Sequence, residues 1–124
     1  MELRIAVAGS RFYNDYNSAK VFIKECLSEI ENNNIIFVSG GCRGADSLGE
    51  RFAIENSYPL EIHKPLWNKF GKAAGLKRNN EIAQKCDIII CFWDGESRGT
   101  YSMINLAKKN DKKLYIKTIH IVKD

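Results

Sequence analysis

The sequence predicts an α/β fold, in which one parallel sheet of about five strands carries helices on both faces. Short apolar runs, typical of buried strands, alternate along the 124 residues with longer segments whose apolar residues recur every three or four positions, as in helices. Three of the strand-to-helix junctions also contain glycines. For a doubly wound sheet with right-handed crossovers we expect the strand order 3-2-1-4-5.

The first strand and helix are predicted over residues 3 to about 31. The strand covers residues 3–8 and ends at Gly9-Ser10-Arg11. The helix starts at Asp15 or Ser18, because either side chain can accept a hydrogen bond from the first turn. Asn32-Asn33-Asn34 ends the helix, whose buried stripe is predicted to be Ala19, Phe22, Ile23, Cys26, Leu27 and Ile30.

The second strand leads into the most glycine-rich junction of the chain. Residues 35–38 are all apolar, which favours a strand buried on both faces. The segment 38–46 follows, with three glycines, and then a helix with Leu48 and Phe52 on its apolar face. Glycines permit left-handed turns and a close approach of the backbone, and the N–H groups that begin a helix attract anions. This junction therefore indicates a phosphate site.

The remaining elements complete the alternation. A third strand is predicted at residues 60–63, a loop at 64–71 and a helix at 73–86 with Leu76, Asn79, Ala83 and Cys86 on one face. The most apolar strand, 87–93, ends in the third glycine turn, 94–100. A helix with Met103, Ile104 and Ala107 and a strand at 114–119 follow. The turns after strands one, two and four should then meet at one crevice.

Composition limits the function classes. A hydrophobic fraction of 44%, a charged fraction of 27% and the absence of a long apolar stretch predict a cytoplasmic protein without a membrane span. Four cysteines without paired spacing indicate reduced thiols and no metal site. Cys26 and Cys91 are expected in the core, and Cys42 is expected to be partly exposed. His63 is expected to be structural. The net charge of +4 is too small to require a polyanion.

The chain resembles the SLOG superfamily, most closely its YspA-like, cpYpsA-related branch of Rossmann-like domains. The resemblance covers nearly the whole chain and implies that residues 1–124 form a single SLOG-like nucleotide-binding domain. It is carried by Gly9-Ser10-Arg11, by the segment 39–46, by Gly75-Leu76-Lys77-Arg78-Asn79 and by the segment 92–100. It implies binding of a nucleotide or nucleotide-derived ligand, as in a sensor, with no certain cofactor. An ADP-ribose-like ligand and a homodimer are compatible with it.

The expected ligand-binding residues come from these four motifs. The phosphate is expected to accept hydrogen bonds from the backbone N–H groups of Gly40, Gly41, Gly99 and Thr100. The side chain of Asp46 would orient its neighbours or a ribose, or only stabilise the start of its helix. The full predicted set is Gly9, Ser10, Arg11, Ser39, Gly40, Gly41, Arg43, Gly44, Asp46, Arg78, Asn79, Asp94, Ser97, Arg98, Gly99 and Thr100.

Two alternatives stay open. The chain also resembles LOG-type phosphoribohydrolases, which would imply hydrolysis of a nucleotide N-glycosidic or phosphate bond. Met103 stands where those enzymes carry a glutamate, so Asp94 and Glu96 are the candidate catalytic carboxylates. DprA-type proteins share the Gly-Ser-Arg motif, with Arg78-Asn79-Asn80 at their Arg-Asn-Arg segment. That resemblance implies binding of single-stranded DNA, with Trp67 and Phe70 as stacking surfaces among lysines.

Overall fold

The computed structural model describes residues 2–31 and 34–121. Strands and helices alternate from one end of this part of the chain to the other. A short 3₁₀ turn, Gly71–Ala73, joins two of the helices. The elements in order are β1 (Leu3–Gly9), α1 (Tyr16–Ser28), β2 (Ile35–Ser39), α2 (Ala45–Glu55), β3 (Leu60–Ile62), α3 (Trp67–Phe70), α4 (Ala74–Lys85), β4 (Ile88–Trp93), α5 (Arg98–Lys109) and β5 (Lys113–Thr118).

The five strands form one parallel sheet in the order β3-β2-β1-β4-β5. The predicted order is confirmed. β1 lies between β2 and β4, with Gly9 beside Phe92 at the last position of their register. Because the sheet is parallel, the carboxyl ends of these three neighbouring strands lie at the same edge.

The helices cover both faces of the sheet, as predicted. Successive side chains of a strand point to opposite faces, so β1 contributes Ile5 and Val7 to one core and Ala6 to the other. The first core contains Phe37 and Phe52 and lies under α1 and α2. The second contains residues of α4, α5 and the sheet, namely Ala6, Val38, Ile82, Ala83, Cys86, Ile89, Cys91, Met103, Ile104 and Ala107.

The first helix begins as the sequence indicates. Of the two candidate caps, Asp15 is the one that accepts the hydrogen bond, from the N–H of Ser18 at 3.1 Å. Ala19, Ile23 and Cys26 are fully buried, and the other predicted stripe residues pack partly buried against the same core. The helix ends at Ser28, before the predicted stop at Asn32-Asn33-Asn34, of which Asn32 and Asn33 lie outside the described residues.

Two predictions between β3 and α4 are wrong. The predicted loop 64–71 contains the short helix α3, followed by the 3₁₀ turn. Leu76 does not lie on the buried face of α4, since 59% of it is exposed. The buried positions of this helix are Ala74, Ile82 and Ala83. Residues six positions apart, such as Leu76 and Ile82, point to different sides of a helix with 3.6 residues per turn.

All four cysteines are free thiols. Cys26, Cys86 and Cys91 are buried, and burial raises the pKa of each to about 12. Cys42 is partly exposed. The expectations for Cys26, Cys91 and Cys42 are confirmed. In the described part of the chain, no helix has the length and apolarity needed to cross a bilayer.

Candidate functional site

A cavity of about 330 Å³ opens at the sheet edge where β1, β2 and β4 end. Gly9, Gly40 and Gly99, one from each of the three predicted turns, all line it. The predicted convergence of the turns is therefore confirmed. The wall formed by Val38 and Met103 belongs to the core under α4 and α5, so the cavity lies on that face of the sheet.

Most of the predicted site residues lie around this cavity, but not all. The lining contains Gly9, Ser10, Arg11, Gly40, Asp46, Arg78, Asn79, Asp94, Glu96, Ser97, Gly99 and Thr100. Among the predicted residues, those that lie outside the lining are Ser39, Gly41, Arg43, Gly44 and Arg98.

The turn after β1 is held by Ser10, which is 2% exposed. Its Oγ accepts the N–H of Phe12 at 3.2 Å. Its carbonyl oxygen accepts the N–H of Ala45, the first residue of α2, at 3.0 Å. Ser10 thus joins two of the converging turns, and it leaves the exposed side chains of Arg11 and Phe12 at the cavity.

The turn after β2 uses its polar groups internally. The hydroxyl of Ser39 donates to Oε2 of Glu50 at 2.6 Å and accepts the N–H of Gly41 at 3.0 Å. Gly41 packs against β3 and the segment that follows this strand. An added Cβ would lie 2.8 Å from Cγ of Lys64 in that segment. The N–H of Gly41, which we expected to bind a phosphate, is thus already accepted by Ser39 within the protein.

Asp46 lies in the first turn of α2 and is 6% exposed. Its Oδ2 accepts the N–H of Cys42 at 3.2 Å. Burial raises the pKa of the Asp46 carboxyl to about 6, although the Cys42 N–H and the positive charges of Arg78 and Arg11 act in the opposite direction. The Asp46 carboxyl at the wall of the cavity therefore has a pKa of about 6.

Arg78 connects α4 to the glycine turn. Its guanidinium donates to the carbonyl oxygen of Gly40 and lies 3.7 Å from the sulfur of Cys42. Its Nε donates to Oδ1 of Asn79 at 2.8 Å. A side chain at position 40 would collide with this guanidinium, 2.6 Å away, and with the Asp46 carboxylate, 2.8 Å away. Gly40 is thus required for the approach of Arg78.

The turn after β4 is organised by Asp94 and Ser97. Oδ1 of Asp94 accepts the N–H groups of Glu96 and Ser97 at 2.9 and 2.8 Å. Ser97 caps α5, and its Oγ accepts the N–H of Thr100 at 3.4 Å. The Thr100 N–H is therefore also occupied within the protein. A Cβ added at Gly99 would meet no atom within 4 Å, so there is open space beside this residue.

Sequence reasoning missed Phe12 and the apolar part of the lining. Phe12 lines the cavity and is 62% exposed, and the Arg43 guanidinium carbon lies 5.2 Å from the centre of its ring. Arg43 therefore contacts Phe12 rather than the cavity. The position of Phe12, directly after Gly9-Ser10-Arg11, was a usable signal. For the buried apolar lining residues, the sequence pattern indicates only a place in the core: Ala6, Val7, Val38, Ile82 and Met103.

The chemistry of the lining is mixed. Two arginines and three carboxylates accompany the apolar wall, and no cluster of three or more His, Cys, Asp or Glu suited to a metal ion occurs in residues 2–31 and 34–121. The residues present can bind phosphate through arginine and cover an apolar ring or sugar face.

Comparison with known proteins decides the family. The family described as YspA, cpYpsA-related SLOG matches residues 3–70, more than half of the chain. The chain belongs to this family. It is also 31% identical over 113 residues to the Gene 61 protein of Mycobacterium phage D29, covering 86% of this chain and 89% of that protein. The family match contains the first two converging turns, whereas Arg78 and the third turn lie beyond it.

Two solved structures share the fold. DNA processing protein A (DprA) from Streptococcus pneumoniae has a TM-score of 0.74 and 18% identity over 93% of this chain. DNA processing protein A from Helicobacter pylori, described for its single-stranded DNA binding mode, has a TM-score of 0.68 and 23% identity over 92%. The chain spans 50% and 64% of those two proteins. The Rossmann-like α/β fold is thus confirmed.

Proposed function

We propose that this SLOG-family domain binds a small nucleotide-derived ligand in the cavity at the carboxyl ends of β1, β2 and β4. The observation that carries the proposal is the convergence of three separate turns and α4 on one cavity of about 330 Å³. In open parallel sheets, ligands bind outside the carboxyl ends of the strands at the switch point of the strand order. This volume is at the small end of ligand sites, which favours a single nucleotide.

The two parts of a nucleotide each have matching groups. Arg11 is exposed and lines the cavity, and none of the hydrogen bonds or ion pairs in residues 2–31 and 34–121 uses its guanidinium. The first turn of α5 adds the positive end of a helix dipole at Gly99. The buried side chains of Val38, Ile82 and Met103 offer an apolar wall to a sugar or base. Arg11 is therefore our first candidate for the phosphate contact, and Arg78 shapes the site.

The test is a binding screen with AMP, ADP-ribose and a dinucleotide, by thermal shift and calorimetry. A ligand present at a hundred times its Kd should stabilise the fold by about 2.7 kcal/mol. Arg11→Gln should raise the Kd about 10- to 150-fold, the range for a hydrogen bond to a charged group. Lys24→Gln removes the same charge at an exposed position of α1 and is the matched control. Equal affinity of Arg11→Gln and wild type would contradict the role of Arg11.

Hydrolysis has weaker support than binding. Met103 is 2% exposed in the cavity wall, at the position where the resembling hydrolases have glutamate. The Asp94 carboxylate already accepts two backbone N–H groups of its own turn. A positioned acid or base contributes about 10² to 10⁴-fold to a rate. We therefore expect release of free base from nucleoside monophosphates near the uncatalysed rate, and rapid turnover that Asp94→Asn or Glu96→Gln removes would contradict this.

Binding of single-stranded DNA is a second candidate function, favoured by one surface. Trp67 on α3 is 51% exposed, and Lys69, Lys72 and Lys77 are exposed near it in sequence. The ammonium groups of Lys69 and Lys77 lie 5.1 and 4.8 Å from the centre of the Phe70 ring, so Trp67 is the better stacking surface. Base stacking on tryptophan together with lysine contacts to phosphate is the usual basis of such binding.

A salt titration separates this candidate from the first. Binding of an oligonucleotide through lysines should weaken steeply as salt is raised, because each neutralised phosphate releases counterions. Trp67→Ala should lower the affinity about 5- to 150-fold, the range of one stacked base. Tyr101→Ala is the matched control, since this aromatic residue of α5 is 54% exposed. The absence of a gel shift at low salt would exclude the candidate.

A further inference from the structure

The side chain of Phe12 stands out among the cavity residues. It is 62% exposed, whereas the next residue, Tyr13, and Phe92 of β4 are 5% and 0% exposed. Tyr13 and Phe92 stack on each other in the core, with ring centres 5.2 Å apart. The chain thus buries one of two consecutive aromatic rings and leaves the other at the mouth of a ligand-sized cavity.

The backbone of Phe12 is held in place by a hydrogen bond, which restricts where its ring can lie. The N–H of Phe12 donates to Oγ of Ser10, a residue that is 2% exposed and bonded to both β4 and α2. The position of the ring is therefore tied to the same turn that carries Arg11. A phosphate bound by Arg11 and an aromatic ring stacked on Phe12 would therefore be two parts of the same small ligand.

One face of the Phe12 ring already has a partner. The guanidinium carbon of Arg43 lies over it, 5.2 Å from the ring centre, a favourable distance for a cation and an aromatic face. Arg43 is outside the cavity lining, and Phe12 is inside it. Arg43 thus contacts one face of the ring, and the ring itself borders the cavity. Nucleic-acid bases stack readily on such a face, whatever their sequence identity, because every base has a π-system.

We propose that Phe12, backed by Arg43, is the platform on which the ligand's base stacks, so that the ligand class of this cavity is a base-carrying mononucleotide rather than a sugar phosphate. The inference rests on the nucleotide-binding function proposed above and adds its specificity determinant. Phe12 contacts the base directly, and Arg43 is a positioning residue that acts through the ring.

The experiment compares AMP with ribose 5-phosphate, which has the same phosphate and sugar but no base. Calorimetric Kd values are measured for wild type, Phe12→Ala, Phe12→Tyr and Arg43→Gln. Phe12→Ala should raise the Kd of AMP about 5- to 150-fold, the range of one base–aromatic stack, and leave that of ribose 5-phosphate unchanged. Phe12→Tyr keeps the ring and should retain AMP binding. Arg43→Gln should weaken AMP binding less than Phe12→Ala does.

The controls separate this inference from the function on which it rests. Val21→Ala truncates a side chain of α1 that is 58% exposed and should change neither Kd. Upfield shifts of the Phe12 ring protons with AMP, and none with ribose 5-phosphate, would support stacking directly. If Phe12→Ala binds AMP as wild type does, or weakens both ligands equally, the platform is overturned and nucleotide binding stands. If wild type binds neither AMP, GMP, CMP, UMP nor ribose 5-phosphate, the proposed function and the platform both fail.

Discussion

The ionisation state of Asp46 depends on the burial of its side chain in the first turn of α2. The residue lines the cavity and is 6% exposed, and burial is the main cause of its pKa near 6, compared with 3.8 in an unfolded chain. Its carboxylate also lies against Gly40, in the space that an added Cβ would need. A change in pH between 4 and 7 therefore changes the charge of the cavity wall.

The substitution Asp46→Asn should show how much stability the protein loses when the buried Asp46 carboxyl ionises, because asparagine cannot ionise. At pH 3.5 the carboxyl is protonated in the folded state and mostly protonated in the unfolded state, so it contributes little to the difference. As pH rises from about 4 to 6, the unfolded chain loses the proton first, and wild type loses stability. The difference between pKa 3.8 and about 6 corresponds to about 3 kcal/mol. In urea unfolding, the free energy of unfolding of Asp46→Asn relative to that of wild type should therefore increase from pH 3.5 to 7, by up to about this amount. A constant difference between the two proteins would contradict the raised pKa.

At the scale of elements, α2 approaches the sheet very closely. A Cβ at Gly49 would lie 2.6 Å from Cβ of Val7 in β1, so the helix can reach this distance only with glycine. Gly44 precedes the helix with φ +78°, and a Cβ there would collide with the Ser10 carbonyl oxygen. These two glycines thus serve the packing of α2 on β1 and the turn that precedes the helix.

Gly49→Ala and Gly75→Ala should change stability in opposite directions. At Gly49 the added methyl overlaps Val7, and overpacking of this kind costs about 1–3 kcal/mol. At Gly75, near the start of α4, the nearest atom to an added Cβ is Cη2 of the Trp67 ring at 3.6 Å, an ordinary contact. Alanine there should stabilise α4 by about 0.5–1 kcal/mol, because glycine loses more backbone entropy in a helix. Chemical denaturation measures both, and destabilisation by Gly75→Ala would be unexpected.

At the scale of the whole molecule, two cores share one sheet. Phe52 belongs to the core under α1 and α2, and Ile104 belongs to the core under α4 and α5. Both cores pack on strands β1, β2 and β4, whose backbones are hydrogen-bonded to each other. Loss of either core would leave one face of these strands uncovered.

Truncation in either core should therefore lower the stability of a single cooperative unit. We expect Phe52→Ala to cost about 3–5 kcal/mol and Ile104→Ala about 2–5 kcal/mol. In each variant, unfolding followed by tryptophan fluorescence and by far-ultraviolet circular dichroism should give coincident curves. Ile54→Ala, at a position of α2 that is 68% exposed, is the control and should change stability by less than about 0.5 kcal/mol. Separate transitions for the two signals would show that the layers unfold independently.

The sequence by itself determined the five strands and the four long helices, the order of the strands in the sheet and the edge at which the site lies. Apolar periodicity is local, and a parallel sheet wound on both faces then places the turns after β1, β2 and β4 together. Only the tertiary structure decided which turn residues line the cavity. Glycines that allow a phosphate to approach and glycines that allow a helix to approach look alike in sequence, as Gly40, Gly41 and Gly44 do. Partners distant in the chain distinguish them: the Arg78 guanidinium, the Lys64 side chain and the Ser10 carbonyl. The same holds for Phe12, whose exposure depends on which neighbouring ring the core has room to bury.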